Sequence, residues 1–424
     1  MTNAKTTKSP AGQSNGMSGK ATRIEWIDEF KGFVLLLVCF YHIEQGFSNV
    51  SMGMLHLSAL RMSAFFFISG MLFSTRRFSD FKSYFIHKTR VLLIPYILLS
   101  LLFLALDPVL YHFEWFPRAP RMTIMNIKPE ITGVWDYLYW NLAKIFIAGK
   151  SSIGSGPLWF IFTLYSVSLM FYGVQKIAKF LFKQREKEIP AQGREDTLKA
   201  KIAIAGAAIA SLIAGWLLYK NHIRLPFGIE RDLTVLFFFT CGWICREPIK
   251  NLSRDCFGFR SSNDIQYTAL RRCSGTLLTA GIALISFVFY AFVKNPDPNF
   301  SIMNNVLGKS LGIFLASSFF GIAGLIATFI VADKLPNIAP VRIVKGILRN
   351  ISRNALVILA VHWWILLVLR IVFKSELDKP GTAYLSAIIV TVGVTITIPI
   401  FRCKLYKLLG KEKVSVRESL RIRD

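Results

Sequence analysis

Apolar runs of about 18 to 22 residues recur along the chain, the length of a helix crossing a ~30 Å hydrocarbon layer. Short polar and basic connections separate them. The pattern predicts an all-α, polytopic transmembrane helical bundle. Ten spans are expected, near 27–46, 52–73, 91–111, 157–178, 201–219, 232–246, 274–293, 307–332, 354–373 and 383–401; the first and sixth are short or polar for spans. With both termini cytoplasmic, the inward segments hold 36 Lys and Arg against 11 outward, and every short loop agrees in sign. That asymmetry is what the positive-inside rule demands.

The same pattern divides the chain. Residues 1–22 are rich in Ser, Gly, Thr and Lys and carry no apolar core, so they read as a disordered cytoplasmic tail rather than a cleavable signal. Residues 23–401 form the membrane domain, and 402–424 a basic cytoplasmic tail. A charged linker over 183–200 joins the fourth and fifth spans. The long outer loop, 107–156, contains Trp115, Trp135, Tyr137, Tyr139 and Trp140. Its later part is amphipathic and is expected to lie in the membrane interface. Its aromatic residues suit an interfacial belt, or the stacking of sugar rings. No internal repeat of the kind that marks many transporters is visible.

Composition changes this picture little. The chain is 53% hydrophobic and 18% charged, below the ~25% charged residues of a soluble domain. A net charge of +26 could suggest nucleic acid. Without a zinc-knuckle or RNA-binding motif, it is better explained by loops held against anionic headgroups. The six cysteines, Cys39, Cys241, Cys245, Cys256, Cys273 and Cys403, fall in helices or on the cytoplasmic side, so no disulfide framework is expected. Cys241 and Cys245 are one helical turn apart, which suits a soft metal less well than two small apolar fillers. No metal site and no bound cofactor are expected.

The candidate chemistry lies in the first span, RIEWIDEFKGFVLLLVCFYHIEQG. Ionisable groups within a hydrocarbon-length helix are costly and mark function by default. Lys31 and His42 are eleven residues apart, hence on nearly one helix face and roughly 16 Å apart along the axis. Asp28 and Gln45 fall close to the same stripe. An imidazole in a partly dry site can serve as a general base toward a hydroxyl and later as an acid. Lys31 could snorkel to headgroups or pair with a phosphate from the cytosol. Arg61 lies too deep in the second span to snorkel, which implies a buried partner or a polar cavity. His87, Lys88 and Arg90 crowd the cytoplasmic mouth of the third span as a candidate anion site. Trp159 opens the fourth span after Pro157. His362 and Asn354 belong to the ninth span, the histidine in a supporting role; Lys309 and Arg370 lie nearer outer ends and read as snorkelling.

At these residues the chain resembles the integral-membrane acyltransferase family 3, more closely the branch related to fucose 4-O-acetylases. The Lys31–ten–His42 spacing matches that family's basic-residue–ten–histidine motif. Further matching blocks are FFFISGMLF (65–73), RVLLIPY (90–96), PLWFI (157–161), LPFGIERDLTVLFFFTCGWICR (225–246) and NISRNALVILAVH (350–362), in the family's order. The resemblance implies about ten spans, an acyl-CoA donor bound from the cytoplasm and a sugar hydroxyl as acceptor. It would make His42 the catalytic histidine, with Lys31 as its basic partner at the donor end. His87, Lys88 and Arg90 would face coenzyme A phosphates. Three departures stand out. Arg61-Met62-Ser63-Ala64 replaces a frequent His-Met-Pro-Leu, His87-x-x-Arg90 replaces Arg-x-x-Arg, and Asn354-Ala355 replaces Asn-Ser.

The expectation is an inner-membrane, multi-pass O-acyltransferase moving an acyl group, acetyl above others, from acetyl-CoA as co-substrate to a surface polysaccharide or lipid-linked sugar. Its partners would be acyl-CoA, the glycan acceptor and the bilayer, with no nucleic acid. Arg61, Gln45, Trp159, Asn354 and His362 would line the acceptor or relay path. The competing reading is a transporter of a glycan precursor or small anion; a membrane sensor has no recognisable output domain in its favour.

Overall fold

The structure, a computed structural model, describes residues 24–47, 51–75, 77–112, 127, 131–150, 156–183, 192–257, 265–293, 300–336 and 338–409. The expected tail over 1–22, residues 410–424 of the tail expected over 402–424, residues 184–191 of the linker expected over 183–200, and Trp115 lie outside these residues. The described residues are overwhelmingly helical and contain no strand, only isolated bridges such as Ser301 with Val306. In chain order the helices are α1 (Glu25–Gly46), α2 (Ser58–Met71), α3 (Phe81–Lys88), α4 (Ile94–His112), α5 (Val134–Ile147), α6 (Trp159–Lys183) and α7 (Gln192–Lys220). They continue as α8 (Ile229–Ile244), α9 (Arg246–Phe257), α10 (Ile265–Val293), α11 (Leu311–Ala332), α12 (Ala339–Arg353), α13 (Ala355–Val372) and α14 (Pro380–Cys403).

Eight stretches among the described residues are long and apolar enough to cross a membrane. The expected first and sixth spans, α1 and α8, fall outside that set. Helix α1 is 22 residues long but carries Glu25, Asp28, Glu29, Lys31 and Glu44. Helix α8 has only 16 residues and opens on Glu230, Arg231 and Asp232. Both are interior elements: α8 packs on α2, α6 and α7, and α1 on α2, α11, α12 and α13. Their polar side chains are tolerable because neighbouring helices, not lipid, surround them.

The third span departs from expectation. A π turn over Thr89–Leu93 joins α3 to α4, so one helical rod starts at Phe81 and carries His87, Lys88 and Arg90 within it rather than ahead of it. Asp80 starts this rod with a capping box, taking the Ser83 amide at 2.7 Å. These bonds hold the exposed Asp80 carboxyl below the usual range. The outer-loop helix α5 is amphipathic as expected. It buries Tyr137, Asn141 and Ile145 and exposes Trp135, Tyr139, Leu142 and Phe146. Two further amphipathic helices, α9 and α12, occupy segments expected only as basic connections.

Close backbone approach sets the centre of the bundle. A Cβ on Gly70 would stand 1.8 Å from the Phe239 carbonyl oxygen, and one on Gly242 would stand 1.8 Å from that of Phe67. Helices α2 and α8 therefore touch backbone to backbone, the small-residue contact that packs helices where hydrophobicity supplies no driving force. Ser63 and Ser318 add a hydroxyl pair at 3.2 Å between α2 and α11. Gly70→Ala and Gly242→Ala should each destabilise the purified protein by about 1–3 kcal/mol, the usual cost of overpacking. Gly206→Ala has open space around it and should be neutral or stabilising by up to about 1 kcal/mol. Melting curves in detergent compare the three directly; equal midpoints for all would refute the contact.

Candidate functional site

The reactive end of α1 is built around His42. Its imidazole is half-buried, and its Nδ1 is buried with no hydrogen-bond partner. The ring centroid lies 5.5 Å from that of His362 and 4.9 Å from the Trp363 ring, which stands edge-on to it. Gln45, one turn further along α1, reaches the imidazole and donates its Nε2 to the Tyr41 hydroxyl at 2.6 Å.

His362 is almost fully buried on α13, and its Nδ1 lies 2.5 Å from the Ile358 carbonyl oxygen. A carbonyl can only accept, so this nitrogen carries the proton and Nε2 is left with a lone pair. That Nε2 is buried and has no partner. Two imidazoles on different helices thus each hold an unfilled ring nitrogen. Buried polar atoms are rarely left so, and the pattern suits a site that receives a polar ligand.

Arg61 completes this end. Only 4% exposed, it stacks its guanidinium 3.8 Å from the Tyr41 ring centroid and donates to the Met54 carbonyl at 2.6 Å. The Met54 amide is in turn held by Glu44 Oε2 at 2.8 Å. Both backbone groups of one turn residue are therefore clamped, one from α1 and one from α2. Tyr290 on α10 donates to the His56 carbonyl at 2.7 Å and fixes the same turn. Arg61 thus finds the buried partner that its depth implied.

Trp159 approaches from the next layer. A Cβ on Gly156 would stand 2.6 Å from the Trp363 ring, so the turn that leads into α6 rests on the tryptophan beside His42. Asn354, by contrast, spends both its amide bonds on Asn350, at the break between α12 and α13. It lies eight residues, or roughly 12 Å of helix, from His362. It joins two helices and does not reach the His42 group.

Lys31 lies at the other end of α1, half-buried among polar contacts. Arg349 of α12 pairs there with Glu25 at 2.6 Å and with Glu29 at 3.7 Å, and Ser352 reaches Asp28 at 3.4 Å. Trp26 donates to Ser253 of α9 at 3.1 Å. Gly32 presses against the Leu348 carbonyl. His87, Lys88 and Arg90 form a separate group whose neighbours are the α3 rod and α6. His87 packs on Phe78 with centroids 5.0 Å apart, the Lys88 ammonium stands 5.5 Å over Tyr84, and Arg90 is exposed. Arg370 lays its side-chain stem against Gly46, at the histidine end of α1, while Lys309 is exposed.

Tyr41, Glu44, Trp363 and the Arg231–Asp232 pair were not singled out from the chain. Trp363 adjoins His362 in a block already marked by its family likeness, and Glu44 sits two residues from His42. The Tyr41–Arg61 stacking has no signal in sequence, because nothing in spacing says which ring a distant guanidinium will cover.

The fold and site define a polytopic helical membrane protein with a histidine pair at one end of an interior helix. The chain belongs to the acyltransferase family 3: the family's acyltransferase-domain model matches residues 24–400. No curated protein and no solved structure matches it. The protein is therefore a membrane acyltransferase, which requires a donor and an acceptor to meet within the bilayer domain.

The clamp around Met54 is testable on its own. Arg61→Met leaves the Met54 carbonyl unpaired and removes the cation beside Glu44, so it should cost about 1–3 kcal/mol. It should also reduce acyl transfer by disordering the end of α1. Arg61→Lys keeps the charge but loses the planar stacking and should fall between. Thermal melting of the purified variants measures this, and a wild-type midpoint for Arg61→Met would refute the clamp.

Proposed function

We propose that the protein is an O-acetyltransferase of the branch related to fucose 4-O-acetylases. It would move the acetyl group of cytoplasmic acetyl-CoA to a hydroxyl of a surface polysaccharide or lipid-linked sugar, in the inner membrane and with both termini cytoplasmic. The observation that carries this reading is the unfilled Nδ1 of His42 beside the unfilled Nε2 of His362. Two neighbouring imidazole lone pairs in a water-poor site are suited to accept a hydroxyl proton.

In this reading His42 removes the proton from the acceptor hydroxyl as its oxygen attacks the thioester carbonyl. The tetrahedral intermediate collapses, the carbon–sulfur bond breaks, and the coenzyme A thiolate leaves. The imidazolium of His42 returns the proton to that sulfur, so the products are the sugar ester and the free thiol. His362 accepts a hydrogen bond from the acceptor and orients it. Gln45 holds the His42 ring, and Trp159 and Trp363 wall the acceptor path. Lys31, Lys88 and Arg90 supply cationic groups for the donor's phosphates, and His87 a ring nitrogen beside them.

His42→Ala should abolish acetylation of the glycan while leaving the melting temperature within a few degrees of wild type. His362→Ala should retain measurable turnover with a raised KM for the acceptor. Acetate release from the cell-surface polysaccharide of a complemented strain reads both. Full acetylation in the His42→Ala strain would sink the mechanism.

A further inference from the structure

A second polar cluster sits at the N-terminal end of α8, and the reaction above does not use it. Arg231 and Asp232 are neighbours in sequence and both fully buried, paired at 3.2 Å between Nε and Oδ1. The Arg231 guanidinium also donates to the Phe227 carbonyl at 3.2 Å and stands 5.3 Å over the Trp159 ring. Its Nη1 has no partner among the described residues, and Ser166 and Thr163 of α6 lie against the Asp232 carboxylate. Lys150 donates to Asn304 Oδ1 at 3.2 Å, and Arg224 donates to the Asn304 carbonyl. Glu230 is engaged by Arg224 at 3.9 Å and by the Leu225 amide at 3.0 Å.

The charges do not balance. Lys144 is answered by Asp107. Among the described residues, Lys150, Arg224 and Arg231 face Glu230 and Asp232, one positive charge in excess. Burial, then Arg231, Lys144 and Arg224, pull the Lys150 pKa down to about 8. The side opposite the basic loops holds few cations, and four of them gather here. Crowding like charges away from water is costly unless an anion joins them.

We propose that Lys150, Arg224 and Arg231 form a binding site for an anionic group, carboxylate or phosphate, carried by the acceptor. The location fits. Arg231 covers Trp159, the turn leading to Trp159 rests on Trp363, and Trp363 stands against His42. An anion held by Lys150 and Arg224, the accessible members, would be separated from the imidazole by Trp159 and Trp363 and would fix the register of a glycan against it. The site selects an acidic acceptor over a neutral one. Arg231, locked on Asp232, contributes its spare Nη1 donor from beneath. This inference rests on the reading of the protein as a glycan O-acetyltransferase, but its test does not depend on turnover.

Purified full-length protein is titrated with trigalacturonate, with the same sugar fully methyl-esterified, and with inorganic pyrophosphate, following the melting temperature. A charged probe should stabilise the protein and the neutral ester should not. Stabilisation by trigalacturonate assigns the anion to the glycan; stabilisation by pyrophosphate alone assigns it to a lipid-linked diphosphate. Lys150→Gln and Arg224→Gln should each weaken the effect about tenfold or more, and Lys150→Arg should retain it. Asn304→Ala removes the Lys150 hydrogen bond but keeps the cation, and so separates loss of charge from loss of fold. Binding should weaken between about pH 7 and 9 as Lys150 loses its proton beside Arg231, Lys144, Arg224 and Glu230. The same titration in His42→Ala should be unchanged, so a failed catalytic reading and a failed anion site give different results. No stabilisation by either charged probe, equal stabilisation by acid and ester, or wild-type affinity in both Gln variants overturns the proposal.

Discussion

The contact between Arg61 and Tyr41 governs the reactive end of the molecule. A guanidinium carried on a membrane helix must find acceptors inside the protein, since the surrounding hydrocarbon offers none. Arg61 finds the face of Tyr41 and the carbonyl of Met54. Because Glu44 holds the amide of the same residue, the two helices grip one turn from opposite sides. Tyr41 and Glu44 flank His42 in sequence, so this grip also fixes the rotation of α1 and the direction of the imidazole. His42 can then meet His362 and Trp363 in one geometry, with its Nδ1 unfilled.

The same requirement explains why α1 and α8, whose ends carry several charged side chains, lie inside the bundle. Helices α1 and α8 would be poor spans alone, one because of its charges and the other because of its length. Surrounded by α2, α7, α11 and α13, they can keep groups that lipid would reject. Glycines make this enclosure tight: α2 and α8 approach until Gly70 meets the Phe239 carbonyl and Gly242 meets that of Phe67. Such contacts leave no room for side chains between the backbones. His42 lies near the C-terminal end of α1, and Arg231 in the first turn of α8.

Much of this was legible in the chain and some was not, for identifiable reasons. Helical periodicity and length gave the bundle, and the 31–42 spacing gave a face with a cation at one end and an imidazole at the other. Arg61 was recognisable as buried and in need of a partner, because depth in a span can be counted. Its partner could not be named, since contacts between α1 and α2 depend on how the helices rotate. The interior position of α8 was equally hidden: its apolar count reads as a weak span, and only packing shows that neighbours cover it. His87, Lys88 and Arg90 were expected at a helix mouth, but the capping box at Asp80 starts the helix seven residues before His87. Asn354 was grouped with the reactive residues by its motif, whereas its amide is consumed within one helix turn.

The anchoring of α1 at both ends bears on how an acyl group could cross it. At the Lys31 end, Arg349 pairs with Glu25 and Glu29, Trp26 bonds Ser253, and Gly32 is pressed onto the Leu348 carbonyl. At the His42 end, Tyr41 and Glu44 are held by Arg61 and the Met54 turn. Sliding α1 would break all of these at once, and each buried group left unpaired costs about 1–3 kcal/mol. The roughly 16 Å between Lys31 and His42 is therefore a fixed distance. In the proposed reaction it must be spanned by the donor, whose thioester lies at the end of an extended flexible arm. In that proposal a rigid α1 would require the thioester to reach His42 while the donor's phosphates stay near Lys31.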